Sequence, residues 1–130
     1  MAKDPKVASA ISHWAPRFVS NGVLLADFEE VTASLERWED WCEAWSRRAE
    51  VHGRLGRDAF KDGHKLTASE HFIRAAIYYH FAKFVFVNDP KQMHAAHQSS
   101  QRSSEAVTSS KSASSTPFET KRGAQCEIAD

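Results

Sequence analysis

The stretch TASEHFIRAAIYYHFAKFVF, residues 67–86, decides the fold class. Thr67 and Glu70 have the spacing of a capping box, in which the hydroxyl takes an orphan N–H of the first turn and the carboxylate reaches back to the cap. From there the pattern is helical to about Val87. Asn88-Asp89-Pro90 then stops it, because the residue before a proline is pushed out of the α region. On a helical wheel Phe72, Ala75, Ala76, Tyr79, Ala82 and Phe86 share one face, while Ile73, Ile77, Phe81 and Phe84 share nearly the opposite one. A helix in a small bundle needs one buried stripe, so two apolar faces require a central position or a partner surface supplied from elsewhere. Insertion into a membrane is disfavoured, since Arg74, His80 and Lys83 interrupt the run and each is costly inside lipid.

Upstream, Asp27 with Glu30 reads as another capping box, opening a segment from which a long helix runs to Gly63. Its apolar stripe is Trp38, Trp41, Trp45, Ala49, His52 or Leu55, Ala59 and Phe60, in steps of three and four. Acidic residues crowd its first half and arginines its second, which suits the helix dipole, and Glu43–Arg47 and Glu50–Arg54 have the spacing of solvated pairs. Nearer the N-terminus, Asp4-Pro5 reads as a cap followed by proline at the first helical position. Pro16 is expected to interrupt that helix, and Asn21-Gly22 to end it in a left-handed turn.

Downstream, Pro90 is placed to begin one more helix. The composition then breaks at Gln98, because residues 99–115 hold nine serines and almost nothing apolar. Such a stretch buries too little surface to offset its ordering entropy. The expectation is an all-α bundle of about four to five helices over residues 1–98, followed by a disordered tail over residues 99–130.

Composition and motifs exclude several functions. Seventeen basic residues balance seventeen acidic ones in 130 residues, so no net field favours nucleic acid or an anionic membrane. No stretch has the form of a signal peptide or a membrane span, which makes the cytoplasm the expected location. Cys42 and Cys126 are far apart and make neither a disulfide framework nor a zinc ligand set, and Cys42 reads as a small core hydrophobe. The five glycines (22, 53, 56, 63 and 123) never flank a serine as G-x-S-x-G, so there is no nucleophile elbow and no catalytic residue to name. Phosphate loops are absent too. Seven histidines include His94 and His97, three apart, but no companion ligand motif, so neither a metal nor any other cofactor is expected.

The remaining candidates are aromatic. Trp41 and Trp45 belong to a stripe that is a packing seam or, less simply, the wall of a pocket for a ring-shaped ligand. Tyr78, Tyr79 and His80 are consecutive polar-tipped rings that point in different directions, so at least one leaves the core for solvent, a ligand or another domain. With Phe81 and Phe84 they form a candidate substrate-pocket or core-facing set.

The order of these features carries a family resemblance. WAPRF (14–18), NGV (21–23), Asp27-Phe28 and WEDWCEAW (38–45), then residues 67–86, DPKQ (89–92) and AAH (95–97), resemble the N-terminal region of the dihydroxypseudooxynicotine hydrolase-like α/β-hydrolases over about residues 11–98. In that family a helical cap precedes a hydrolase core with a Ser, Asp and His triad and closes over the substrate. The resemblance therefore implies a lid segment of enzymes that cleave carbon-carbon or ester bonds. It carries none of the triad and is expected to be inactive alone, with a hydrolase core or a second copy of itself as partner. After His97 the chain departs from the family pattern, in the manner a frameshift, premature stop or misplaced gene boundary produces. Two other readings stand beside it. Leu55, Gly56, Ala68, Phe72 and Ala75 match part of a tetratricopeptide-type hairpin, which would make the chain a stand-alone interaction module, although such units normally stack in threes or more. A small-ligand sensor on the aromatic seam rests on composition alone.

Overall fold

The computed structural model describes residues 3–83 and 89–128, with side chains as far as Ser110. Among the described residues it is an all-helical bundle without strands: α1 (Pro5–Ser20), α2 (Leu25–Ser34), a 3-10 turn (Trp38–Asp40), α3 (Trp41–Lys61), α4 (Lys65–Lys83) and α5 (Pro90–Ile128).

The first helix starts as its sequence dictates, with the Asp4 carboxylate accepting from the Lys6 N–H at 2.8 Å and Pro5 at the first position. Pro16 does not interrupt it. Pro16 and Ser12, whose carbonyl loses its helical partner, both lie on the exposed side, where the freed group is open to solvent. Gly22, at φ 106°, then turns the chain in a conformation that other L-residues rarely adopt, and Val23 N–H returns to Phe18 C=O at 3.0 Å.

The Asp27–Glu30 box does not form. Leu24 occupies the cap position of α2 without a side-chain bond, and Asp27 turns inward to 4% exposure. Its carboxylate is claimed by three side chains from α3 and α4, which outweigh a single N–H at a helix end. The expected long helix is also divided, because Leu35 is extended and fully buried and the 3-10 turn separates α2 from α3. Along α3 the stripe Trp41, Trp45, Ala49 and His52 is buried as its spacing predicts, while Leu55 and Phe60 are each 43% exposed. Past His52, Gly53 and Gly56 take over the inner face. A β-carbon on Gly56 would lie 2.7 Å from the Phe72 ring, so α3 and α4 approach as closely as backbone and ring allow.

Helix α4 begins at Lys65, two residues before Thr67. The left-handed Gly63 (φ 82°) closes α3, and His64 C=O accepts from Ala68 N–H, so the chain re-enters a helix before the Thr67 hydroxyl can cap it. Phe84 and the rest of the expected helix end lie outside the described residues. The short connection makes α3 and α4 antiparallel neighbours, and α5 covers α4 from the other side. The Phe72–Tyr79 face of α4 is thus met by α3 and α5, whereas on the other face Phe81 is buried, Ile77 half-buried and Ile73 38% exposed.

The serine-rich stretch supplies that cover as far as it is described. Asp89 caps α5 through Lys91 N–H (3.0 Å) and Gln92 N–H (3.2 Å), and the helix continues across Gln98 without a break. Ser103, Ser104 and Thr108 return their hydroxyls to the carbonyls of Ser99, Ser100 and Ser104, which internalises their polarity. Ser100 Oγ donates to Ala76 C=O on α4 at 2.9 Å, and Ala96 and Ser110 are buried. Gln98, where the composition changes, thus lies inside the helix. The remainder of the expected tail, residues 111–130, lies beyond the described side chains.

Candidate functional site

Two arrangements on α3 and α4 carry chemistry, one buried and one open. The buried one is centred on Asp27. Oδ1 accepts from the Arg48 guanidinium, while Oδ2 accepts from the Tyr78 hydroxyl and faces His52 Nε2 at 2.8 Å. Tyr78 Oη also accepts from the Leu24 N–H at 3.1 Å, which gives α2 the N-terminal cap its own sequence does not provide. Burial raises the Asp27 carboxyl, but hydrogen bonds from Arg48, Tyr78 and His52 more than offset it and hold the pKa below the usual range. Burial, with smaller contributions from Arg74 and His71, pushes His52 below an ordinary histidine against the pull of Asp27. Burial and the Asp27 carboxylate together raise the Tyr78 hydroxyl. A neutral His52 with its Nε2–H on Asp27 leaves Nδ1 buried without a partner among the described residues. The cluster joins three helices, and Arg48 at its edge also faces a cavity of about 250 Å³ beside Glu30, Val31 and Val51. Its bonds tie the bundle together.

The open arrangement is a groove between α3 and α5, which both rest on α4 and splay apart over it. Two cavities of about 260 and 340 Å³ run along it and share Arg57, Phe72 and Ala106 in their walls. Tyr79 stands at the polar end, with its hydroxyl donating to Glu50 Oε2 at 3.1 Å; burial and that carboxylate push its pKa up to about 12. Burial raises Glu50, but Arg57 and Tyr79 outweigh it and keep the carboxylate ionised below its ordinary range. Phe60 and Phe72 line the apolar end.

These two places separate the candidate residues. Tyr78 enters the buried cluster, Tyr79 faces the groove, and His80 is exposed. Phe81 is buried and stacks on Phe18 at 3.9 Å between centroids. Trp41 and Trp45 are fully buried 5.8 Å apart in the aromatic core, and Trp41 Nε1 donates to Phe81 C=O at 3.1 Å. Phe84 lies outside the described residues. Asp27, Arg48 and His52 were not legible as a cluster, because a cap, a solvated arginine and a stripe histidine look unrelated when 21 and 25 residues apart. Among the described residues no three His, Cys, Asp or Glu side chains are placed to hold a metal. His97 Nδ1 instead meets Lys83 Nζ at 2.7 Å and His94 meets Gln98 at 3.2 Å. No helix among the described residues is long and apolar enough to cross a membrane.

No family model and no solved structure matches this chain. Among curated proteins it is similar to the alpha/beta hydrolase pydG of an Acremonium species, 31% identical over 72 residues that make up 54% of this chain and 17% of that protein. The match thus spans about a sixth of the relative's length. The chain is related in sequence to an α/β-hydrolase over that segment.

Proposed function

We propose that this chain is a helical lid segment of the α/β-hydrolase type, one that covers a substrate pocket built by a core domain and does not hydrolyse substrates alone. One observation carries the reading: the 72 residues similar to a hydrolase fall in a chain whose described part is helical, and whose sequence has no nucleophile elbow. Helix α5 lies against the Phe72–Tyr79 face of α4, and Ile73 on the opposite face is 38% exposed, so a core has apolar surface to meet there and beside it. Leu24 and Leu25 at the start of α2 are 43% and 54% exposed, and Leu66 on α4 is 76% exposed. A stand-alone interaction module is the competing reading, favoured by the α3–α4 hairpin in which Gly56 seats Phe72 between the buried Ala68 and Ala75.

A chimera tests the proposal. The matched segment of the Acremonium hydrolase is replaced by the corresponding residues of this chain, and the rate on that enzyme's own substrate is measured. A folded chimera that retains turnover supports the lid reading; one that is monodisperse and helical yet inert overturns it. Hydrolysis of ester or ketone substrates by this chain alone, abolished by a substitution within it, would overturn the claim of inactivity.

A further inference from the structure

We propose that the groove between α3 and α5 binds a small amphiphile with a flat apolar body and a single carboxylate. This inference concerns the helical piece itself and stands whether or not a hydrolase core exists.

Shape is the first argument. The two cavities share three wall residues and so form one trough, and the larger lies within the range of roughly 300–1,000 Å³ in which small-molecule pockets fall. Two features of α3 keep it open. Gly53 has no side chain, and a β-carbon there would lie 3.3 Å from Arg57 Nη1 and 3.6 Å from Glu50 Oε2, crowding the pair that crosses over it. Gly56 lets the Phe72 ring lie down against the helix backbone, where a β-carbon would push it up into the trough.

Charge is the second argument. Four charged side chains line the trough: Glu50, Arg57, Lys61 and Arg102. Glu50 and Arg57 neutralise each other, and Tyr79 takes a further lone pair of the carboxylate. Arg102 meets the Ser99 hydroxyl at 3.1 Å, and neither it nor Lys61 has a carboxylate partner among the described residues. The trough therefore offers an uncompensated guanidinium with serine hydroxyls beside it at one end and aromatic rings at the other. An anion on an apolar ring satisfies both ends; an uncharged ring leaves the guanidinium unmatched. A helix from a partner would need a longer apolar surface than Phe60, Phe72 and Ala106 provide.

The test titrates the full chain with 2-naphthoate and with neutral 2-naphthamide, following backbone amide shifts by NMR. Saturable shifts at Gly53, Gly56 and Ala106 are expected for the carboxylate. Binding should weaken by about fivefold for the amide and for the exposed-site variant Arg102→Gln, the scale of one partly solvated ion pair. The inference is overturned if the shifts do not saturate, if they map to other helices, if the amide and R102Q bind as tightly as the carboxylate and parent chain, or if sedimentation shows the trough filled by a second copy that naphthoate does not displace.

Discussion

The Tyr78 hydroxyl on α4 donates to the Asp27 carboxylate on α2 across 51 residues of sequence, and the same oxygen accepts the Leu24 N–H that begins α2. One phenol therefore fixes both the start of a helix and the charge beneath it. Removing it by Tyr78→Phe leaves a buried carboxylate one bond short and an uncapped N–H. The expected cost is about 1–3 kcal/mol, read from urea unfolding. Asp27→Asn should cost more, about 3–5 kcal/mol, because Arg48 and His52 lose a charged acceptor at once. If both variants unfold at the parent midpoint, Asp27 does not organise the bundle.

Acid should dismantle the same cluster in a defined direction. The folded pKa values of Asp27 and His52 are both depressed, so in each case the unfolded chain binds the proton more readily. Their contribution is complete above the unfolded values, near 6.5 for histidine, and is lost as pH falls through the folded ones. A charged His52 would have its second N–H buried without an acceptor among the described residues, facing His71 and Arg74 from α4 and Arg48 from its own helix, with Asp27 as the one counter-charge. The thermal midpoint is therefore expected to decline from pH 7 to pH 5, and His52→Gln to flatten that decline. An equal slope in the variant would remove His52 from the explanation.

The contrast between Trp45 and Asp27 shows what the sequence made legible. Trp45 sits at helical spacing from Trp38 and Trp41, and burying so large a ring has one outcome whatever the tertiary detail, so the all-α class and the aromatic core could be read directly. Asp27 has several uses for its carboxylate. Local spacing favours a cap, and only the arrival of Arg48, His52 and Tyr78 from other helices reverses that choice. Serine is ambiguous for a related reason: its composition favours exposure, while its small volume and its hydroxyl's bond to the preceding turn let α5 lie close against α4 as far as Ser110. The groove at Tyr79 was half legible, since the sequence marked the ring but placed no wall opposite it.

Close packing at Gly56 supplies another test. Alanine in the middle of a helix normally stabilises it by about 1 kcal/mol relative to glycine. Here the added carbon would meet the Phe72 ring at 2.7 Å, and overpacking of this kind costs about 1–3 kcal/mol. Gly56→Ala is thus expected to be neutral or destabilising, against its helix propensity. In combination with Phe72→Leu, which removes the ring edge, the alanine should regain its favourable sign. Stabilisation by the single substitution would mean that the ring yields freely and α3 and α4 are not held at this distance.

Truncation separates the two explanations for the doubly apolar α4. If that helix awaited an external surface, cutting after Gln98 would change little, since nothing essential would follow. In this structure residues 99–110 cover one of its faces: Ser100 bonds to Ala76, Ser99 and Ser103 flank Tyr79, and Ala106 lies over Phe72 in the groove wall. A chain ending at residue 98 is therefore expected to remain helical but to self-associate and to melt at lower temperature, because the Phe72 and Tyr79 rings lose their neighbours on one side. A chain ending at residue 110 should keep the parent's melting temperature and association state. Sedimentation velocity with circular dichroism reads both properties. Equal behaviour of the two truncations would show that the serine-rich turns contribute nothing to the bundle, and the central position of α4 would then need a partner after all.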